Sequence, residues 1–136
     1  MLAKPALLAA CALLLATPAL AQPAPPQGLW LTASGNLQVE ISPCGPALCG
    51  VTAKVLANHS MQDSRTQVAE PPRLGLKIIT DLKPTGPGAW KGRIFNRENG
   101  KTYDCLVQPQ GADALKLRVY VVLPLFGQDQ VWRRVS

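Results

Sequence analysis

The sequence is poor in the residues that most enzymes use for catalysis and metal binding. It has a single histidine, His59, and 8 Asp and Glu residues against 14 Lys and Arg residues. One histidine without a nearby carboxylate cluster forms neither a zinc site nor a Ser-His-Asp triad. His59 is therefore predicted to be a solvated loop residue. Catalytic residues, metal ligands and a cofactor are not expected.

Charge is almost absent from the N-terminal part of the chain, where Lys4 is the only charged residue among the first 39. The apolar run 6–16 follows Lys4, and a Thr-Pro pair interrupts it. Ala19 and Ala21 then place small residues at the two positions that a signal peptidase reads. We therefore predict that residues 1–21 are a cleavable signal peptide and that the protein is exported to the periplasm.

Two other interpretations of this segment remain open. The first is a retained membrane anchor, although the apolar run of about 11 residues is shorter than the roughly 20 that span a bilayer core. The second is lipidation, because Leu8-Ala9-Ala10-Cys11 has the form of a bacterial lipoprotein cleavage box. An envelope protein anchored through Cys11 is therefore the alternative to cleavage before Gln22.

Residues 22–136 are predicted to be the exported protein. They carry 13 Lys and Arg against 8 Asp and Glu, a net charge of +5, on a chain long enough for one domain. The cations form no dense block, so nucleic acid is not an expected partner, and at most peripheral membrane association follows. The Pro-rich residues 22–27 are predicted to be an extended, loosely packed linker, and residues 28–136 the folded domain.

Three cysteines follow residue 21, and two of them lie close together. Cys44 and Cys49 flank Gly45-Pro46-Ala47-Leu48, whose Gly-Pro pair turns the chain and can bring the two sulfurs within bonding distance. Because disulfides persist in exported proteins, we predict a Cys44–Cys49 disulfide, with a redox-active or metal-binding pair as the alternative. Cys105 is predicted to be a buried, unpaired small apolar residue.

Alternation of apolar and polar residues dominates the chain from Gly28 onward and is typical of half-buried strands. Ser34-Gly35-Asn36 and Asn99-Gly100 are turn signals between alternating segments. Region 58–73 is the least regular and is predicted to be a long connection, with at most a short helical turn. About eight strands are predicted, over residues 29–32, 37–41, 51–55, 75–82, 90–94, 102–107, 115–123 and 130–135.

About eight short strands joined by turns predict an all-β, up-and-down antiparallel barrel. Closure would pair the first strand with the last and place Trp30 and Trp132 on neighbouring strands. A barrel of this size is either filled by side chains or holds one small ligand. In the longest predicted strand, 115–123, the odd positions are apolar and should face the core, whereas Arg118 and Tyr120 should face solvent.

The aromatic residues at strand positions allow two interpretations. They either fill the core or line a ligand cavity in which an arginine meets an anionic head group. Because Arg118 and Tyr120 are predicted to face solvent, the strand register counts against a ligand cavity. The candidate lining residues are Trp30, Trp90, Tyr103, Tyr120, Trp132 and Arg118.

Several short motifs follow one another with a characteristic spacing. They are Gly28-Leu29-Trp30, Ile41-x-x-Cys44-Gly45, Leu48-Cys49-Gly50, Trp90-Lys91-Gly92-Arg93-Ile94, Asn99-Gly100-Lys101-Thr102-Tyr103, Leu125-Phe126-Gly127 and Trp132-x-Arg134. In this order they resemble the DUF2147 family, small exported bacterial proteins, over nearly all of residues 28–135. The resemblance implies a compact, lipocalin-like β-barrel in the periplasm and brings no set of catalytic residues.

Two functions from different classes are compatible with these features. The first is a non-enzymatic binding or interaction module for a small apolar molecule or a component of the cell envelope. The second is an enzyme that acts through Cys105 as a nucleophile or through a carboxylate, for which Asp104 on a predicted strand is the candidate.

Overall fold

The computed structural model describes residues 3, 5, 10–15, 25–61, 63 and 65–136. Most of the predicted signal peptide, residues 1–21, lies outside the described residues, and its cleavage stays a prediction. In the part of the chain that is described, no helix is both long enough and apolar enough to cross a membrane.

Antiparallel strands close into a barrel in which each strand pairs with its neighbours in chain order. The strands are β1 (Gly28–Leu31), β2 (Leu37–Cys44), β3 (Ala47–Val55), β4 (Lys77–Pro84), β5 (Trp90–Asn96), β6 (Lys101–Gln110), β7 (Ala114–Tyr120) and β8 (Gln128–Arg134). Closure pairs Trp30 with Arg134 and Leu31 with Arg133, which covers the edges of β1 and β8. The predicted all-β, up-and-down barrel is therefore confirmed.

Alternation along the strands decides which side chains fill the barrel. Trp30, Ile41, Val107, Leu115 and Trp132 belong to one apolar cluster, and each is at most 2% exposed. Burying a large apolar side chain contributes roughly 1.5–3 kcal/mol relative to leaving it exposed. The inward faces of the strands therefore contribute strongly to the stability of the closed sheet.

One end of the barrel is sealed by the first strand and the segment before it. Trp30 Nε1 donates a hydrogen bond of 3.1 Å to Pro26 O, and the Arg134 guanidinium lies 4.2 Å from the centre of the Trp30 ring. Arg134 Nη1 also donates to Gln27 O at 3.0 Å. Pro26 is fully buried, which differs from the loose packing predicted for residues 22–27. The buried indole N–H requires an acceptor, and the Pro26 carbonyl supplies it.

The Cys44–Cys49 disulfide fixes the hairpin between β2 and β3 at the same end. The two Cα atoms are 5.5 Å apart, and Cys49 lies opposite Ser42 in the strand register. A loop this short removes little entropy from the unfolded chain, so the bond mainly fixes the local turn. The predicted disulfide is confirmed, and Cys105 is free and buried as expected.

The predicted strand 115–123 is wrong over its last three residues, because β7 ends at Tyr120. Val121, Val122 and Leu123 are exposed, although the alternation placed Val121 and Leu123 in the core. Val122 has a φ of 70°, a left-handed conformation that interrupts the extended chain. Tyr120, which was predicted to face solvent, is only 4% exposed.

Candidate functional site

A cavity of about 200 Å³ lies at the end of the barrel opposite the Pro26 seal. Its lining comes from inward-facing strand positions and from the turns at that end. The barrel interior is therefore sealed at one end and opens into this small cavity at the other. The floor and walls of the cavity are largely apolar and consist of Leu37, Ile78, Ile94, Tyr103, Val119 and Trp132.

The rim of the cavity is polar because it is built from the turns at this end of the barrel and from the adjoining ends of β5 and β8. The volume is below the range of roughly 300–1,000 Å³ that is usual for drug-sized ligands. An apolar floor beneath a polar rim suits a small molecule with one polar end, or one segment of a larger amphiphile. The rim side chains belong to Asn36, Asn96, Arg97, Glu98, Gln128 and Gln130.

Asn36 fastens the connection between β3 and β4 to this end of the barrel. Its side-chain Nδ2 donates to His59 O at 2.7 Å, and its Oδ1 accepts from His59 N at 2.9 Å. His59 also forms an isolated antiparallel bridge with Gln67, so the described part of the connection folds back on itself. The His59 side chain is exposed, as predicted, and only its backbone takes part in this contact.

A second attachment joins the same connection to the turn between β5 and β6. Arg97 Nη1 donates to Asn58 Oδ1 at 2.7 Å, and Met61 N donates to Glu98 Oε1 at 2.6 Å. Burial lowers the pKa of the Arg97 guanidinium, and the negative charge of Glu98 opposes this shift. Together these bonds hold Met61 against the cavity, where it forms part of the lining.

Two of the six side chains predicted to line a cavity, Tyr103 and Trp132, do line this one. Trp30 is buried at the sealed end, and Trp90 packs against the core without reaching the cavity. Tyr120 is buried but lies outside both the core cluster and the cavity lining. Whether any of these residues binds a ligand stays a prediction.

Arg118, the sixth of these residues, lies on the outer wall and holds the turn between β7 and β8. It donates to Pro124 O, to Leu125 O at 3.3 Å and to Asp129 Oδ1 at 2.8 Å. The hydrogen bond from Arg118 lowers the pKa of Asp129. Because these acceptors occupy the guanidinium, Arg118 supports the turn and does not meet a head group inside the barrel.

Sequence reasoning missed the aliphatic floor residues and the rim residues Asn36 and Arg97. The floor positions were visible as inward-facing positions of the predicted strands. Alternation, however, assigns a side chain to the interior without showing which end of the interior is full. The rim depends on contacts between residues far apart in the chain, such as the bonds from Asn36 to His59, which lie 23 residues apart.

The enzyme alternative relied on Cys105 or Asp104. Burial raises the pKa of Cys105 to about 12, and the nearby charge of Asp104 adds to the shift. Because the thiolate is the nucleophilic form, this cysteine is poorly suited to attack a substrate. Asp104 lies outside the cavity and borders an open groove together with Asp81 and Arg93. Among the described residues there is no group of three or more His, Cys, Asp and Glu that could hold a metal ion.

The folded protein is expected to resist alkylation of Cys105 by iodoacetamide near neutral pH, and the unfolded protein to react fully. The free energy of unfolding should also fall as the pH rises from 9.0, the ordinary thiol pKa, to about 12. In that interval the unfolded chain loses the thiol proton while the folded chain keeps it. Mass spectrometry measures the alkylation, and urea unfolding measures the stability. Cys105→Ala is the control that removes this part of the pH dependence, and rapid alkylation of the folded protein would contradict the assignment.

Comparison with known proteins supports the fold and identifies the family. Residues 28–134 match the family described as an uncharacterized protein conserved in bacteria, DUF2147. The structure is similar to protein HP1028 from the human pathogen Helicobacter pylori, which belongs to the lipocalin family, with a TM-score of 0.60 and 19% identity over 81% of this chain and 82% of that chain. At this identity the likeness concerns the fold alone, and no curated protein sequence gives a significant match. The family match covers most of the chain, and the protein therefore belongs to the DUF2147 family.

Proposed function

We propose that the protein is a non-enzymatic binding module of the periplasm. Its open barrel end would take up a small, mostly apolar molecule or an apolar segment of a cell-envelope component. The observation that carries this proposal is the one-ended cavity of about 200 Å³, with an apolar floor and a polar rim. A lipocalin-like barrel fits this kind of function.

The chemistry of the lining supports the choice of ligand. Ile94, Val119 and Trp132 present apolar surface, and covering such surface is favourable by about 25 cal/mol per Å² removed from water. Gln128 and Gln130 on the rim have amide groups that can both donate and accept hydrogen bonds. Gln130 Oε1 already accepts a hydrogen bond of 2.8 Å from Trp132 Nε1. A ligand with an apolar body and a small hydrogen-bonding end matches this distribution.

Filling the cavity should strongly weaken ligand uptake. Val119→Trp places an indole in the hollow end, and N-phenyl-1-naphthylamine, an apolar dye that brightens on leaving water, serves as the probe. We expect the wild-type protein to enhance the dye fluorescence saturably and the variant to bind at least about tenfold more weakly, at a stability cost of about 1–3 kcal/mol.

The matched control for this variant is Val131→Trp. Val131 lies on β8, next to β7, and is exposed on the outer wall. Its variant should bind the dye as the wild type does and should melt at nearly the same temperature. Equal dye binding by Val119→Trp and the wild type would exclude this cavity as the binding site.

Mass spectrometry of the protein purified from its own periplasm tests both the location and the natural ligand. The denatured chain should begin at Gln22. A lipid-modified chain beginning at Cys11 would replace the periplasmic proposal with an anchored envelope protein. Under native conditions a co-purifying small molecule is expected. A preparation free of bound molecules that also fails to bind the apolar dye would overturn the proposed function.

A further inference from the structure

The turn between β7 and β8 exposes a run of large apolar side chains beside the open end of the barrel. Val121, Val122, Leu123, Leu125 and Phe126 are each between 51% and 81% exposed. We call residues 121–126 the apolar loop. Single exposed apolar residues are normal on soluble proteins, but a contiguous group usually marks an interaction site.

The structure holds the apolar loop in this exposed conformation. Arg118 donates hydrogen bonds to Pro124 O and Leu125 O, which fixes a single 3-10 turn over Pro124–Phe126. Gly127 lets the chain pass close to β7, because a Cβ there would lie 2.8 Å from Val119 O and 2.9 Å from Arg118 Cγ. With its polar backbone tied inward to the barrel wall, the loop directs its apolar side chains outward.

Charge distinguishes between the partners that could cover this loop. On the outer wall of β5–β8, the rows that contain Tyr120, Arg118 and Lys116 carry four cations, Lys91, Arg93, Lys116 and Arg118, and two carboxylates, Asp104 and Asp129. Among the described residues, Lys91 and Arg93 form no salt bridge. The predicted exported chain has a net charge of +5, which disfavours a second copy and favours an anionic surface.

We propose that the apolar loop inserts into the interface of an anionic lipid bilayer while Lys91 and Arg93 on the adjoining outer wall face the lipid head groups. A protruding tip of Leu and Phe side chains beside positive charge has the two features of proteins that bind at a membrane surface. The loop adjoins the open end of the barrel, because Val119 and Gln128, on either side of the β7–β8 connection, both line the cavity. Insertion therefore brings the cavity to the lipid surface. The proposal does not require the cavity to bind a ligand.

Vesicle co-sedimentation of the full exported chain tests this proposal. The vesicles contain phosphatidylethanolamine and phosphatidylglycerol, and vesicles of phosphatidylcholine alone are the uncharged comparison. Mass spectrometry first establishes that the chain carries no lipid, because a lipid on Cys11 would hold it on vesicles whatever the loop does. The wild type is expected to sediment with the anionic vesicles and to be released by salt.

Leu125→Ser combined with Phe126→Ser should lower the partition coefficient about tenfold or more without changing the melting temperature, because both side chains are exposed. Leu74→Ser is the matched control, since Leu74 is equally exposed but lies outside the loop. Lys91→Glu combined with Arg93→Glu should weaken binding to anionic vesicles by at least about tenfold and leave binding to phosphatidylcholine unchanged.

A Phe126→Trp variant reports insertion directly. Its fluorescence should shift to shorter wavelength with anionic vesicles and be quenched by brominated lipid chains, whereas Leu74→Trp should show neither effect. Three results would overturn the proposal: no sedimentation of the wild type, equal binding by the double serine variant, or equal binding to both kinds of vesicle. A concentration-dependent dimer that the double serine variant abolishes would instead assign the loop to a second copy of the chain.

Discussion

Replacing Trp30 with alanine is expected to lower the free energy of unfolding by about 3–5 kcal/mol. The Trp30 side chain is fully buried in the apolar cluster and seals one end of the barrel. The substitution removes a buried indole, the hydrogen bond to Pro26 O and the ring under the Arg134 guanidinium. A domain of this size is stable by about 5–15 kcal/mol, so the loss takes a large part of the total. Urea unfolding followed by far-UV circular dichroism measures it.

Trp30→Phe separates packing from hydrogen bonding in this prediction. Phenylalanine keeps most of the buried ring but cannot donate to Pro26 O, so a loss of about 1–2 kcal/mol is expected. Phe126→Ala is the control for an exposed aromatic residue and should change stability by less than about 0.5 kcal/mol. A Trp30→Phe variant as unstable as Trp30→Ala would show that the hydrogen bond, and not the buried ring, seals the barrel.

Gly92→Val is expected to destabilise the barrel by about 3 kcal/mol, near the upper end of the usual cost of overpacking. A Cβ on Gly92 would lie 2.8 Å from Thr80 O and 3.1 Å from Leu82 Cα, so the backbone of β4 would have to move. The contact is close because the register shifts between Thr80 and Lys83, next to Asp81 with a φ of 53°. Thermal and urea unfolding measure the loss, and hydrogen exchange should report weakened protection in β4 and β5.

Gly100→Ala is the comparison for Gly92→Val, because it isolates the cost of backbone conformation. Nothing lies within 4 Å of a Cβ at Gly100, but its φ is 72°. Alanine in this left-handed conformation costs about 1–2 kcal/mol. Gly92 has no such conformational requirement, so its larger loss would come from crowding alone. Near wild-type stability of Gly92→Val would mean that β4 and β5 are further apart than the structure shows.

Most of the barrel was predictable because a strand that buries one face must alternate. Trp90, Gly92 and Ile94 face inward on β5, as their period-two spacing indicated, and the Asn99-Gly100 turn joins β5 to β6. The end of β7 was not predictable in this way. Val121 and Leu123 continue the alternation of β7, and hydrophobicity alone does not distinguish an exposed apolar loop from a core strand. The left-handed backbone conformation of Val122 interrupts the extended chain after β7 ends.

The candidate site was harder to predict than the fold. The cavity depends on the summed volumes of side chains from many strands, and no local pattern reports that sum. Tyr103 and Trp132 were visible as inward-facing aromatics, and both reach the cavity. Trp30 had the same appearance in the sequence and lies at the opposite end. The difference follows from position along the barrel axis, which alternation does not encode.

The pairing of β1 with β8 has a consequence for the order in which the chain folds. The bond from Arg134 to Gln27 joins residues 107 apart in the sequence, and the register pairs of these two strands are similarly distant. Bringing distant residues together costs loop-closure entropy before their contact contributes any stability. Proteins rich in such contacts therefore fold in milliseconds to seconds. Until β8 arrives, the edge of β1 and the apolar interior are open to water and to other chains. The arrival of β8, the last strand of the barrel in chain order, thus ends the period in which the barrel is vulnerable to aggregation.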